Sequence, residues 1–214
     1  MRLRKNSALT EAIKEYADIV FLRGQTGSAL LGKTGLEVEI GSGRGGFITA
    51  LAAANKEKFF VGVESKTDVL YYAARKIRDS ALSNVRLIEG DAAGLENWFS
   101  PGQAEAVYIN FCDPWPKARH GKRRLVFRDF LYKYHNISVP GGRLYFKTDN
   151  RRLFAFALEE FAFCGLKIIL QTLDLHNSGY ENQTWTEYER KFHKLGLPVC
   201  FCAAVFCSAP EKTF

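Results

Sequence analysis

The sequence predicts a doubly wound α/β domain built on a mostly parallel sheet. Three observations predict this fold class: short apolar strands alternate with helices five times, a glycine-rich turn follows the first strand, and acidic residues stand where successive strands end. Strands that alternate with helices form units whose crossover helices cover both faces of a parallel sheet. The last two predicted strands lack a long crossover helix between them, so we expect an antiparallel pair at the end of the sheet.

The predicted strands are short runs rich in Val, Ile, Leu and aromatic residues. They cover residues 36–40, 58–63, 84–89, 104–111, 143–148, 167–175 and 199–207. Residues 1–33 are polar and show no clear period, and we interpret them as an irregular N-terminal arm. The rest of the chain, 34–214, is expected to form one domain, because no linker or repeat divides it.

Apolar residues at helical spacing predict the helices. After the second strand, Ser65 and Asp68 match a capping box, and the helix that follows has an inner face of Val69, Ala73 and Ile77. The segment Pro140-Gly-Gly142 is expected to end the helix before it and to precede the fifth strand. Helices are predicted at 47–54, 92–99, 126–137, 150–164 and 187–195.

Composition narrows the classes of protein to which this chain belongs. A net charge of +7 and a pI near 9.2 favour a polyanionic partner, but they do not separate RNA, DNA and an anionic membrane surface. The first residues show no signal-peptide core, and the longest apolar run, 199–207, is too short to span a membrane. Five cysteines at scattered spacings predict free thiols in the cytoplasm, and the spacing of His176 and His193 relative to them predicts no metal site.

A glycine-rich turn and three acids indicate a cofactor site. Gly41-Ser-Gly-Arg-Gly-Gly46 joins a strand to a helix, and Glu64 ends the next strand, which is also the pattern of dinucleotide-binding proteins. The glycines alone therefore leave the cofactor open. Glu39, Glu64 and Asp91 at the strand ends would repel a pyrophosphate, whereas they suit S-adenosylmethionine, which carries a sulfonium, an ammonium and ribose hydroxyls.

The segment after the fourth strand carries an acid, an aromatic ring and a run of cations. Asp113 is followed by Pro114-Trp-Pro116, in which the two prolines force the chain out of the sheet as a stiff loop. The cationic residues beyond this loop are Lys117, Arg119, Lys122, Arg123 and Arg124. This combination indicates chemistry on a nucleic-acid base, with the cations on phosphates. The alternative interpretation is that these cations simply form the solvent-exposed first turn of a basic helix.

Several segments together resemble the bacterial tRNA (guanine-N7)-methyltransferase family. The resemblance covers nearly the whole chain and rests on Glu39-Ile-Gly-Ser-Gly-Arg-Gly45, Gly62-Val-Glu64, Gly90-Asp91, Asp113-Pro-Trp-Pro-Lys-Ala-Arg-His120, Lys122-Arg-Arg124, Thr148-Asp149 and Thr186-Glu-Tyr-Glu189. The Asp-Pro-Trp-Pro-Lys and Thr-x-Tyr-Glu segments are specific to this family, and the glycine turn is generic. Ala118 departs from the pattern, since many relatives carry a lysine there.

The resemblance implies a fold, a reaction and a set of site residues. The fold is the Rossmann-like, class I methyltransferase fold with seven strands, the last of them antiparallel. The reaction is transfer of a methyl group from S-adenosylmethionine to a guanine N7 in the variable loop of tRNA. Residues expected to contact the cofactor or its reacting end are Glu39, Gly41, Gly43, Glu64, Asp91 and Asp113, and those expected to contact the tRNA substrate are Lys117, Asp149, Thr186, Glu187, Tyr188 and Glu189.

Guanine N7 carries a lone pair and no proton, so its methylation needs no general base. We expect Asp113 to be the catalytic residue that stabilises the positive charge developing on the base, with Asp149 as the second choice. Glu189 is expected to read guanine, and Trp115 and Tyr188 are the two candidates to stack on it. The alternatives are a methyltransferase for exocyclic amines, a nicotinamide-dependent dehydrogenase and a non-catalytic RNA-binding module. We expect a monomer or homodimer with no obligate protein partner.

Overall fold

A computed structural model describes residues 7–25, 30, 33–181 and 184–207. Its described residues form one sheet of eight strands in the order β1-β4-β3-β2-β5-β6-β8-β7, in which β8 runs antiparallel to both neighbours and the other pairs are parallel. The strands are β1 Val20–Phe21, β2 Leu36–Ile40, β3 Phe59–Glu64, β4 Val85–Glu89, β5 Ala104–Asn110, β6 Ser138–Thr148, β7 Leu166–Thr172 and β8 Cys200–Phe206. The predicted α/β class and the antiparallel end of the sheet are confirmed.

Six α-helices within the described residues lie on the two faces of the sheet. They are α1 Ser7–Ala12, α2 Gly46–Ala54, α3 Thr67–Asp79, α4 Arg128–Ile137, α5 Arg151–Phe163 and α6 Glu187–Lys194. Short 3-10 turns occupy Ile13–Tyr16, Ala92–Asn97 and Ala118–Arg123. Asn150 caps α5 by accepting a hydrogen bond from the Leu153 amide at 2.9 Å.

The hydrophobic core lies on both faces of the sheet. On one face, α4 and α5 pack over the central strands, with Tyr134, Phe146 and Phe161 fully buried. On the other, α2 and α3 pack over Phe60 and Leu87. Each of these large side chains contributes about 1.5–3 kcal/mol by leaving water, so the strands beneath form a rigid base for the loops at their ends.

The N-terminal segment is more ordered than its sequence indicates. Val20 pairs with Leu87 in the edge strand β1, and Ile13 and Ile19 are buried in the same cluster as Ile77 of α3. The prediction of an irregular segment is therefore wrong for residues 7–21. A two-residue strand and a six-residue helix are too short to produce a recognisable hydrophobic period.

Two local predictions also need correction. The predicted capping box does not form, because α3 begins after Lys66 without a side-chain cap and the Ser65 hydroxyl donates to Glu64 at 3.3 Å. β6 begins at Ser138, so the segment Pro140-Gly-Gly142 lies within the strand, where the register with β5 shifts. A bulged strand accommodates proline and glycine that a regular central strand would exclude.

Candidate active site

A cleft of about 250 Å³ lies at the carboxyl ends of the central strands, between the turn after β2 and the start of α6. Parallel strands end at the same edge of a sheet, which is where ligands bind in folds of this class. The lining residues are Glu39, Gly41, Ser42, Gly43, Arg44, Gly46, Phe47, Asn110, Phe111, Thr186, Glu187 and Tyr188.

The glycine-rich turn is held tightly against β3. The amides of Gly41 and Ser42 donate to the carbonyl of Val63 at 2.8 and 3.1 Å. Gly45 has φ of +72°, and a Cβ there would lie 2.8 Å from the Cβ of Ala73 on α3. Only glycine meets both conditions, so the turn can pack directly against α3.

Glu39 is the most perturbed acid of the cleft. Its side chain is 3% exposed, and its Oε1 accepts a hydrogen bond from Asn110 at 3.0 Å. Its Oε2 is buried and has no hydrogen-bond partner among the described residues. Burial raises the pKa of Glu39 to about 8, against the opposing effects of Asn110 and of the nearby Lys147. A buried oxygen of this kind is suited to a ligand that brings a hydrogen-bond donor or a positive charge.

Glu64 is at the end of the neighbouring strand and supports the glycine turn. Its carboxylate accepts hydrogen bonds from the amides of Gly43 at 3.1 Å and Lys66 at 3.0 Å. It pairs in register with Glu89 of β4, and Thr67 donates to that second acid. The expected series of acids at successive strand ends is therefore present. Glu64 also stabilises the glycine turn through its hydrogen bond with the Gly43 amide.

Asp91 lies on a second and larger cavity, of about 470 Å³, beyond β4. Its Oδ1 caps a 3-10 turn by accepting from the Ala93 amide at 2.8 Å, and the side chain is exposed. Trp98 and the N-terminal residues 23–25 line the same cavity. Sequence reasoning did not assign the N-terminal residues to the site, because nothing in their composition links them to β4.

The turn after β5 has a strained backbone. Phe111 and Trp115 have φ of +49° and +42°, values that residues with a Cβ seldom adopt. The Phe111 amide donates to the Lys147 carbonyl at 2.9 Å, and its ring packs on Tyr188 with centroids 4.9 Å apart. Asp113 projects from this turn as an exposed side chain just outside the residues that line the cleft.

The start of α6 closes the cleft from the other side. Thr186 and Glu189 form a capping box, in which the hydroxyl accepts from the Glu189 amide at 2.8 Å and the carboxylate accepts from the Thr186 amide at 3.3 Å. Tyr188 is 44% exposed at the mouth of the cleft. Glu187 pairs with Lys76 of α3, and that hydrogen bond lowers the pKa of Glu187.

Glu189 is completely buried and forms an ion pair with Lys147 of β6 at 2.9 Å. This burial contradicts the prediction that Glu189 reads guanine directly. The third residue of a capped helix folds its side chain back over the helix start, and here a lysine from the strand beneath meets it. Thr186-x-x-Glu189 is itself a capping signal, which the sequence analysis did not use.

The basic segment divides into exposed cations and one cation held by the strained turn. Lys117, Arg119 and Lys122 are exposed, and the guanidinium of Arg123 lies 5.0 Å from the centre of the Trp115 ring. Arg124 instead donates from Nε and Nη2 to the carbonyls of residues 114 and 115, each at 3.1 Å.

Two further residues that the sequence predicts to belong to the site, Asp149 and Trp115, lie at its rim. Asp149 is exposed at the end of β6, immediately before the cap of α5. The Trp115 ring contacts Arg123 on its face and His120 in an edge-on arrangement at 5.6 Å, so the protein's own side chains already cover much of it. Tyr188 is the more accessible of the two rings proposed to stack on a base.

The fold and the cleft define a Rossmann-like methyltransferase of class I. Among solved structures, an antibiotic-related methyltransferase matches with a TM-score of 0.60 and 19% identity, over 83% of this chain and 90% of that one. The 16S rRNA methyltransferase KamB matches with a TM-score of 0.59 and 13% identity, over 83% and 89%. At such low identities these likenesses concern the fold alone.

Residues 33–202 match the family model described as "Putative methyltransferase". The tRNA (guanine-N(7)-)-methyltransferase of Bacillus subtilis (strain 168) is 40% identical over 204 residues, which are 93% of this chain and 96% of that protein. The enzyme of the same name from Streptococcus uberis is 38% identical over 211 residues, 96% of this chain and 100% of that protein. The chain belongs to this family of tRNA (guanine-N(7)-)-methyltransferases, as its sequence motifs predict.

Proposed function

We propose that the protein transfers a methyl group from S-adenosylmethionine to N7 of a guanine in the variable loop of tRNA, giving N7-methylguanosine. Membership of a family whose relatives carry this activity in their names supports the reaction. The structural observation that carries it is the placement of an acid-lined cleft directly beside a cationic segment on one edge of the sheet. A small cationic cofactor fits the acid-lined cleft, and a polyanion fits the cationic segment.

The residues of the cleft fit S-adenosylmethionine better than a dinucleotide. Glu39 Oε2, buried without a partner in the described part of the chain, is the acceptor that the ammonium group of the cofactor requires. Glu64 and Asp91 lie farther along the strand ends, where ribose and adenine donors would meet carboxylates. Arg44 also lines the cleft, with its guanidinium over the Tyr72 ring at 5.0 Å, so it adds one cation to a lining whose acids are Glu39 and Glu187. When bound, this cofactor supplies a methyl group already activated by the sulfonium.

On the substrate side, the protein's task is to hold the base in line with the methyl group. Tyr188 and Phe111 present ring surface at the mouth of the cleft, where a flat base can lie against them. Asp113 and Asp149 are exposed at the ends of adjacent strands, β5 and β6. They are placed to accept hydrogen bonds from the guanine N1 and N2 groups, and Asp113 stabilises the positive charge that develops on the ring.

Lys117, Arg119, Lys122 and Arg123 bind tRNA phosphates, with affinity that falls as salt rises. Arg124 contributes by fixing the carbonyls of the turn that carries Asp113. The five cysteines are free thiols, which supports action in a reducing cytoplasm. We expect the chain to act as one domain with an N-terminal arm, and without an obligate protein partner.

Incubation of the protein with unmodified tRNA and isotope-labelled S-adenosylmethionine, followed by mass spectrometry of the nucleosides, tests the proposal. N7-methylguanosine should be the labelled product, and its position in the tRNA follows from sequencing of nuclease fragments. Label on an exocyclic amine would make the protein a methyltransferase of a different type. If the protein binds tRNA but no nucleoside carries the label, the result would favour a non-catalytic RNA-binding module.

A further inference from the structure

Lys147 lies next to the residues that line the cleft, and its carbon chain and ammonium group are almost fully enclosed. It is 4% exposed and stands at the carboxyl end of β6, directly across from Asn110 of β5. Its Nζ donates to Glu189 Oε2 at 2.9 Å and to the Thr184 carbonyl at 3.2 Å. Burial lowers the pKa of Lys147, and the carboxylate of Glu189 opposes that shift.

A chain of contacts runs through this lysine from one wall of the cleft to the other. On the cofactor side, Asn110 donates to Glu39 at 3.0 Å, and Asn110 pairs in register with Lys147. On the other side, Glu189 caps the start of α6, which bears Tyr188. Lys147 is therefore the link between the strand ends that carry the cofactor acids and the helix that closes the cleft.

The same helix also supports the strained turn that carries Asp113. Phe111, at φ +49°, packs its ring on Tyr188 and Phe192 of α6 with centroids 4.9 and 6.4 Å apart, and its amide is bonded to the carbonyl of Lys147. A residue in this backbone conformation persists only where its surroundings hold it. The position of α6 therefore decides whether the turn keeps its shape.

We propose that Lys147 is a positioning residue that, through its ion pair with Glu189, fixes α6 against the Phe111 turn and so sets Tyr188 and Asp113 for the tRNA base. This inference rests on the proposed function and adds a residue to it. Removing one partner of a buried ion pair leaves an uncompensated buried charge, so Lys147 and Glu189 act as a unit. Misplacement of a reacting group by about 1 Å lowers a rate by up to 100-fold.

The molecule offers a matched control on the opposite face of the sheet. Glu160 of α5 is 4% exposed, pairs with Arg128 at 2.6 Å, and accepts from the Arg128 amide at 2.8 Å. The arrangement repeats that of Glu189, a buried glutamate bonded both to a cation and to a backbone amide at a helix start. It joins α4 to α5 and lies outside the lining of the cleft.

The test compares the double variants Lys147→Met/Glu189→Gln and Arg128→Met/Glu160→Gln with the wild type. Each removes both charges of an ion pair formed by a buried glutamate, so no lone buried ion remains, and the glutamine keeps an acceptor for the backbone amide. The Arg128 side chain is 35% exposed, so the control matches the first pair in the glutamate and its amide contact. Single-turnover methylation is measured at saturating tRNA and cofactor, at a temperature where circular dichroism shows each protein folded. We expect the first variant to lose about tenfold or more in rate, and the second to stay within about twofold of the wild type.

Hydrogen exchange supplies a readout that does not depend on activity. Amides of α6, residues 187–194, should exchange faster in Lys147→Met/Glu189→Gln and keep their protection in the control. Wild-type rates in the folded first variant, or equal losses in both variants, would overturn the role of Lys147. A wild type that transfers no methyl group to guanine would instead refute the proposed function, and the exchange data would still decide whether the ion pair holds α6.

Discussion

Glu39 should bind a proton in the free protein and lose it when the cofactor binds. Burial raises its pKa from an ordinary value of 4.5 to about 8, so at pH 7 about nine in ten molecules hold Glu39 as a neutral acid. An ammonium group placed against the buried Oε2 favours the ionised form. Binding at pH 7 should therefore release about 0.9 proton from Glu39, and at pH 9 only about 0.1.

Calorimetric titration of S-adenosylmethionine in buffers with different ionisation enthalpies measures this number. The cofactor's own amine also titrates near neutrality, so Glu39→Gln is measured in parallel, and the difference between the two proteins isolates the glutamate. We expect a difference of about 0.9 proton at pH 7 that vanishes by pH 9. Equal proton release by both proteins would refute the reasoning, because it would mean that Glu39 is already ionised or that the ammonium binds elsewhere.

The same shift predicts how the free protein's stability depends on pH. A carboxyl group whose pKa is raised by folding contributes stability that is fully present below the unfolded pKa and lost as pH rises through the folded pKa. Between pH 4.5 and about 8, Glu39 should therefore lower the free energy of unfolding by up to about 1.4 kcal/mol per pH unit. Glu39→Gln should remove this slope in denaturant titrations, and a bound cofactor should mask it.

Four further substitutions separate the parts of the site. Glu64→Ala should weaken cofactor binding by about 1–3 kcal/mol in a titration, since it removes a hydrogen-bond acceptor for the ribose and leaves the Gly43 amide without its partner. An unchanged dissociation constant would mean that another residue contacts the ribose. Lys122→Ala should raise the KM for tRNA and flatten the salt dependence of that KM, with no loss of stability. Arg124→Ala should instead lower the melting temperature and the turnover number, because it leaves two backbone carbonyls without their hydrogen-bond donor. Identical effects of the two changes would contradict this division of roles. Asp113→Asn should keep most tRNA affinity and lower single-turnover methylation by about 100- to 1000-fold, and near-normal turnover would transfer the role to Asp149.

The sheet and its acidic edge could be predicted because their signals are local. A run of apolar residues followed by glycine or an acid marks the end of a strand, and parallel strands bring such ends together. Glu39, Glu64 and Asp91 therefore fell at one edge without any knowledge of side-chain contacts. The edge strand β1 could not be predicted, because Val20 and Phe21 alone carry no period.

The roles of individual charged residues depend on partners far away in the chain. Glu189 meets Lys147 across 42 positions, and although Thr186-x-x-Glu189 indicates a helix cap, nothing in the sequence indicates that a buried lysine meets the glutamate. Arg123 and Arg124 are identical in type and adjacent, yet one stacks on an indole and the other binds two carbonyls.

The distribution of charge in this molecule bears on how two oppositely charged ligands meet in one site. The chain has a net charge of +7, yet Glu39 and Glu187 line its cleft, and its cations gather on the turn just beyond β5. A polyanion is therefore attracted to the turn, while the buried oxygen of Glu39 suits the floor of the cleft to a cation. Burial keeps Glu39 neutral in the free protein, and an ammonium group bound beside it should ionise it, so that the two charges compensate each other. In the proposed reaction, the guanine therefore approaches a cofactor whose ammonium charge is already compensated, and Asp113 is the proposed partner for the positive charge that develops on the base.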